Sequence, residues 1–186
     1  FAVCIEEDED RTVWIGAWNG AYVYKKDSVF KITGTEGPVT AICNTVDGMV
    51  IGGPKGIWIY KDNVIKKMNF SVAQSIRKII PDAKNGIWVA TDVGIYHCAG
   101  EKVNHFYKTN VLLSAYIKGL AMDANQRLWT AGLGGISILY QGEKERFITQ
   151  QEGCPTIYTT CVSRSPDSVM WVGTVAGVVR YSLSGT

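Results

Sequence analysis

Apolar and polar positions alternate in short runs along the whole 186-residue chain, and the alternation recurs as a unit. Five 13-residue phrases carry it: TVWIGAWNGAYVY from Thr12, GMVIGGPKGIWIY from Gly48, GIWVATDVGIYHC from Gly86, RLWTAGLGGISIL from Arg127 and VMWVGTVAGVVRY from Val169. Each holds a large apolar residue in third place (Trp14, Val50, Trp88, Trp129, Trp171) and a small one two places on (Gly16, Gly52, Ala90, Ala131, Gly173). A glycine follows six places after the large residue (Gly20, Gly56, Gly94, Gly135, Gly177), and these columns step together by 36, 38, 41 and 42 residues. Period-two alternation on both sides of a turn-forming glycine predicts a β-hairpin in every phrase. The small residue lets a neighbouring sheet approach closely, and the glycine takes a positive φ in the turn.

Ahead of each phrase stands another apolar run, such as Ala2-Val3-Cys4-Ile5, Val39-Thr40-Ala41-Ile42, Ile76 to Ile80 and Ile117 to Leu120. Polar turns link it to the phrase: residues 7–10, Asp47-Gly48, residues 82–86, Asp123-Ala124-Asn125 and Ser165-Pro166-Asp167. A weaker fourth strand is expected at residues 28–32, 64–68, 103–106 and 145–148. The segment 111–120 is the best helical candidate and reads as a loop running into a strand. Four short antiparallel strands at a period near 40 describe a blade that must stack on neighbours to bury its faces, so the predicted class is an all-β propeller. The blades expected are 1–34, 35–70, 71–110, 111–151 and 152–186, in one propeller region over 1–186, the last without its outer strand. With no segment left to supply that strand, the reading is an arc of a larger propeller. An open arc leaves an apolar face on its first and last blades without a neighbour, so self-association is expected.

Charge changes the picture by exclusion. The 19 Lys and Arg are balanced by 17 Asp and Glu scattered among turns, which argues against a nucleic-acid groove. The acidic cluster at residues 6–11 lacks the ligand spacing of a calcium loop and reads as a solvated turn. Its five cysteines (Cys4, Cys43, Cys98, Cys154, Cys161) form no CxxC pair, and Cys4 and Cys161 occupy the same place ten residues before a phrase tryptophan; they read as free packing thiols. No metal or other cofactor is expected. No run of 18 apolar residues is present.

Catalytic chemistry finds little support. Two histidines, His97 and His105, stand in strands without a recognisable partner motif, and no catalytic residue is assigned. Arg77, Lys118 and Tyr158, near the starts of first strands, make no recognisable constellation. The tryptophans Trp14, Trp88, Trp129 and Trp171 hold one repeated column and belong to the core between blades; Trp58 is also expected to be packed. Trp18 differs. Pro54, Asp92, Leu133 and Val175 take its place in the other phrases, so no packing rule demands an indole there. Variation on a uniform scaffold marks the turn face as the ligand-binding one, with Trp18, Asn19, Lys55 and Asp92 as candidate contacts.

The segments between phrases complete a second signature. Glu36-Gly37-Pro38-Val39-Thr40-Ala41-Ile42 and Glu152-Gly153-Cys154-Pro155-Thr156-Ile157-Tyr158, an acidic turn, W-[IV]-G-[AT] and G-[IV]-x-x-Y together resemble the two-component regulator propeller repeat over essentially the whole chain. Departures are Val50 for tryptophan, Pro54-Lys55 in the second turn and Ser137-Ile138-Leu139 without a terminal tyrosine. The resemblance implies a periplasmic sensor region of hybrid two-component systems of Bacteroidetes, part of a membrane-anchored parent with a histidine kinase elsewhere. It implies a non-enzymatic role in signal transduction and carbohydrate sensing. The partners expected are an oligosaccharide ligand, the remaining blades and downstream domains of the parent, and a second copy in a homodimer. The competing classes are a protein-interaction platform and a propeller lyase or hydrolase.

Overall fold

The structure is a computed structural model that describes residues 1–69, 75–83, 86–107 and 111–182. Its strands are β1 (Ala2–Glu7), β2 (Val13–Ala17), β3 (Gly20–Lys25), β4 (Ser28–Lys31), β5 (Ala41–Thr45), β6 (Gly48–Gly53), β7 (Gly56–Lys61), β8 (Val64–Lys67), β9 (Ile76–Asp82), β10 (Gly86–Thr91), β11 (Gly94–Ala99), β12 (Lys102–Phe106), β13 (Ile117–Met122), β14 (Leu128–Gly132), β15 (Gly135–Tyr140), β16 (Glu143–Ile148), β17 (Thr159–Arg164), β18 (Met170–Thr174) and β19 (Gly177–Tyr181). They form four sheets of four strands and a three-stranded sheet, β17-β18-β19, each in sequence order. The weak fourth strands are present as β4, β8, β12 and β16, and the chain reaches β13 through residues 111–116 without a helix. The expected turn residues Lys84 and Asn85, and the blade limits at 70, 71, 110 and 186, lie outside the described residues.

Two compact units divide the chain: Phe1–Val89 with His97–Val103, and Ala90–Tyr96 with Asn104–Thr186. In the first, Trp14, Ala21, Val39, Ile42, Met49 and Ile51 form one cluster, with Tyr60 and Ile65 packed against it. The Trp14 ring meets Tyr60 edge-on at 5.1 Å. In the second, Trp129, Ala131, Ile136 and Ile138 pack on Val162, Met170 and Val172, and Trp129 meets Tyr181 at 5.9 Å. Each unit therefore makes the same contact, the indole of one sheet against the terminal tyrosine of the next.

The small-residue column permits it. A Cβ on Gly16 would lie 2.8 Å from Val39 Cγ1, and one on Gly52 would lie 2.5 Å from Ile79 Cδ1, both in the following sheet or its approach. Thr40 Oγ1 adds a bond across sheets to Ile76 O at 2.7 Å. The hairpin glycine of every phrase has positive φ, from 119° at Gly94 to 133° at Gly20, as the turn requires.

Two expectations change. Trp171 is 41% exposed and Cys161 is exposed, although both hold columns read as core in the other phrases. The acidic first turn is more than solvated. The Asp8 carboxylate accepts the Asp10 and Thr12 backbone N–H groups at 3.0 and 2.9 Å and the Trp14 Nε1–H at 2.8 Å. In the fourth sheet Asp123, fully buried, accepts from the backbone of Asn125 and Arg127, from Arg127 Nε at 2.6 Å and from Trp129 Nε1 at 2.9 Å. Ser165 Oγ takes the place in the fifth, accepting Trp171 Nε1–H at 3.2 Å. The residue three before each indole, Arg11, Gln126 or Ser168, has φ near 60° in all three turns. An oxygen six residues before the indole thus caps the turn and fixes the ring that packs on the next sheet.

Trp88→Ala and Trp129→Ala are each expected to destabilise the chain by about 3 to 5 kcal/mol, whereas Trp18→Ala and Trp171→Ala cost far less; denaturant midpoints of the four variants check this. A second expectation concerns Asp123. Burial alone would raise its pKa, but hydrogen bonds from Arg127 and Trp129 and the Arg127 charge outweigh that and hold it below the usual carboxylate value. A depressed folded-state pKa contributes stability above the unfolded value, about 3.9, that is lost as pH falls through the folded value. Asp123→Asn, which turns an amide toward two donors, is expected to cost about 3 kcal/mol or more at pH 7 and to flatten the acid limb of a stability-versus-pH curve.

Candidate functional site

The site begins with a local irregularity. In β1, β13 and β17 the pairing register shifts by one residue, between Ala2 and Cys4, Ile117 and Gly119, and Thr159 and Cys161. Such a bulge turns one side chain out of the pleat at the strand end. Val3 is the residue so released in the first sheet, 44% exposed.

In the first unit Val3 lines a cavity of about 400 Å³ with Trp18, Pro38, Thr40, Pro54 and Arg77. Trp18 sits in the β2–β3 turn and is 62% exposed, so its ring face is open to a ligand. The rigid wall opposite comes from Pro38 and Pro54, and Thr40 is held to Ile76 O. Of the candidate contacts, Trp18 alone lines the cavity. Lys55 follows Pro54 and runs against Gly37, whose φ of 84° bends the loop beneath it; a Cβ there would lie 3.3 Å from Lys55 Cε. Asn19 is exposed beside Trp18. Asp92 is half-buried in the β10–β11 turn and belongs to the second unit. Val3 and Arg77 were not among the candidates. Arg77 was legible as a first-strand cation, but the outward turn of Val3 follows from the bulge and has no sequence signal.

The second unit carries its own turn face. Leu133, at the position of Trp18 in its phrase, pairs as an isolated bridge with Tyr158, and Gly134 donates to Ile157 O at 2.8 Å. Val175 donates to Tyr158 O at 3.2 Å. Leu133, Tyr158 and Val175 are all exposed, at 41%, 51% and 68%, so backbone bonds hold an apolar patch with one tyrosine ring in the open. Lys118, released by its bulge, lies over the Tyr116 ring at 5.6 Å.

Reactive groups are placed differently. His97 Nε2 lies 2.9 Å from Asp82 Oδ2, and its ring stacks on Trp88 at 4.2 Å. His105 Nε2 lies 2.9 Å from Val93 O, and its ring stacks on Tyr96 at 4.1 Å. Burial pushes the thiol of Cys4 up to about 11 and those of Cys43 and Cys98 to about 12, so they stay protonated at neutral pH. All five cysteines are free. Among the described residues no three His, Cys, Asp or Glu side chains converge to hold a metal ion, and no helix is long and apolar enough to cross a membrane.

No protein-family model matches the chain, and neither does any curated protein sequence. Solved structures do. The chain is similar to the extracellular domain of a hybrid two-component system from B. thetaiotaomicron, with a TM-score of 0.82 and 21% identity over 98% of this chain and 27% of that one. It is also similar to a catalytically inactive variant of virginiamycin B lyase from Staphylococcus aureus, in a structure with quinupristin (TM-score 0.76, 14% identity, 100% of this chain and 71% of that one). A third similarity is to the WD40 β-propeller domain of Doa1 (TM-score 0.73, 15% identity, 93% of this chain and 60% of that one). At these identities the likeness establishes the fold, and the sheets are blades of a β-propeller. The chain spans about a quarter of the B. thetaiotaomicron domain.

Because β-branched and proline walls fix the cavity, Trp18→Ala should leave the fold intact: unchanged far-ultraviolet circular dichroism, with loss of the exposed-indole fluorescence quenched by acrylamide, checks the placement of this ring.

Proposed function

We propose that this chain is a non-catalytic, extracytoplasmic sensor segment of a two-component signalling protein, located in the periplasm as part of a membrane-anchored parent, and that it binds an oligosaccharide at the turn face. One observation carries the reading: similarity in fold over 98% of the chain to an extracellular domain of a hybrid two-component system, in a molecule whose repeats resemble the propeller repeat of such regulators. The cavity beside Trp18 supports it chemically. A sugar ring presents an apolar C–H face that stacks on an indole, while hydroxyls at its rim take hydrogen bonds from polar side chains. In this reading Trp18 supplies the platform, and Asn19, the next residue in its turn, and Lys55, of the following sheet's turn, are proposed as donors. Asp92 holds the same turn position in its own phrase and is proposed as a contact of the second unit.

A lyase or hydrolase reading finds less support in the side chains. A general base needs a ring nitrogen facing a substrate, whereas the Nε2 atoms of His97 and His105 face Asp82 and Val93 O. The WD40-like platform reading rests on the exposed Leu133–Tyr158–Val175 patch and predicts a protein ligand instead.

Titration calorimetry against a panel of oligosaccharides tests the proposal. Binding is expected for one glycan class, with at least a tenfold loss in Trp18→Ala, as expected for removal of a stacking ring worth about 1.4 kcal/mol or more, and a smaller loss in Lys55→Ala. Glycan cleavage at enzymatic rates, or binding that Trp18→Ala leaves unchanged, would sink it.

A further inference from the structure

The second and third sheets meet without the two rings that the pairs Trp14–Tyr60 and Trp129–Tyr181 supply elsewhere. In both pairs the third residue of one phrase meets the last residue of the next. Val50 holds the tryptophan's place in the second phrase, and Cys98 holds the tyrosine's place in the third. The two substitutions face each other. Val50 and Gly52 are two residues apart in β6 and so share a face, and Gly52 is the residue that approaches Ile76 and Ile79 of the third sheet. On that sheet Ile87 and Cys98 stand at the phrase positions of Met49 and Tyr60, which pack around Trp14 in the preceding contact.

A cavity of about 170 Å³ lies at this place. Val50, Ile59, Met68, Pro81, Ile87 and Cys98 make its apolar wall, and all six belong to the first unit. Val50 and Cys98 are each 2% exposed, so the wall they form lies between the sheets rather than on the surface. The mouth is at the β5–β6 turn, where Val46 and Asp47 are exposed. Asp82 borders the space as well, with its Oδ2 2.9 Å from His97 Nε2, and Thr45 Oγ1 is committed to Gly48 O at 2.7 Å. Protein interiors are close-packed, so a hole at one defined contact is an exception to be accounted for. An apolar cavity of about 150 Å³ is enough to hold benzene.

We propose that this cavity is a binding site for a small neutral aromatic molecule of one or two fused rings, which takes the place that the Trp14 side chain fills in the preceding contact. A flat ring fits between the β-branched walls of the two sheets, and the Met68 thioether and Cys98 thiol are polarizable partners for it. The carboxylates of Asp47 and Asp82 at the border disfavour an aromatic acid, which sets the preference for a neutral ring. Asp47 offers an acceptor to a ring N–H, as Asp8 does to Trp14. The site is separate from the cavity beside Trp18, with which it shares no lining residue.

Calorimetric titration of the whole chain with indole, and with indole-3-acetate as its charged counterpart, tests this. Indole is expected to bind one-to-one and to raise the unfolding temperature as its concentration rises, with indole-3-acetate binding at least tenfold more weakly. Val50→Trp returns a ring to its column and fills the space, so it is expected to keep the wild-type far-ultraviolet circular dichroism and to lose at least tenfold in indole affinity. If Val50→Trp fails to fold, Cys98→Tyr fills the cavity from the opposite sheet and reports the same loss. Trp18→Ala is expected to bind indole like the wild type, which separates this site from the one proposed for oligosaccharides. A wild-type chain that binds no indole up to its solubility limit overturns the proposal, as does binding that the filling variants leave unchanged. Indole binding lost in Trp18→Ala overturns it equally and assigns the ring to the turn face, and equal affinity for indole-3-acetate overturns the selection by charge.

Discussion

The contact on which the structure depends is the seating of one sheet's tryptophan against the next sheet's tyrosine, across a column of glycine and alanine. A four-stranded antiparallel sheet of this size has no interior of its own, so its apolar side chains become a core only when a neighbour covers them. The Gly16 and Gly52 positions bring backbone to within a side-chain layer of the following sheet, and the indole fills the remaining depth. The same pairing, Trp14 with Tyr60 edge-on and Trp129 with Tyr181 tilted, recurs in both units with different surrounding residues. Val50 in the second phrase shows what the contact tolerates: it remains 2% exposed, and no polar ring nitrogen then needs an acceptor.

That last point links the turns to the core. An indole buried between sheets carries an N–H that needs a partner. The chain supplies one from the turn six residues upstream, as Asp8, Asp123 or Ser165. One carboxylate therefore does two jobs: it closes the turn by accepting backbone donors and orients the ring that forms the next interface. Asp82 stands at the same spacing before Trp88, where it faces His97 and the imidazole stacks on the indole. The third sheet has thus kept the acidic turn and exchanged the donor.

Sequence variation among the phrases is greatest in places this arrangement leaves free. Strand positions answer to the sheet-to-sheet contact, whereas the β2–β3 turn and its equivalents carry indole, proline, aspartate, leucine and valine in turn. The bulges in β1, β13 and β17 extend that freedom to the first strands by releasing Val3, Lys118 and Thr160 from the pleat.

The repeat of a large apolar residue, a small one and a glycine determined the strands, the hairpins and the blade, because each column answers a local demand: burial, close approach, positive φ. Trp18 was legible as the indole that breaks its column, and the structure leaves it in the open beside a cavity. Tertiary structure decided the rest. Trp171 and Trp129 occupy the same column, yet one is exposed and the other buried, since burial depends on whether a further sheet stands opposite rather than on the residue. Asp8 looked like one of several charges in a solvated turn, although the six-residue spacing to tryptophan was present in three phrases; only the fold shows the carboxylate reaching the indole. Val3 joins Trp18 through a bulge whose extra residue has no periodic signature. Alternation reports which side of a sheet a residue takes, but what lies against that side is set by chain segments far away in sequence.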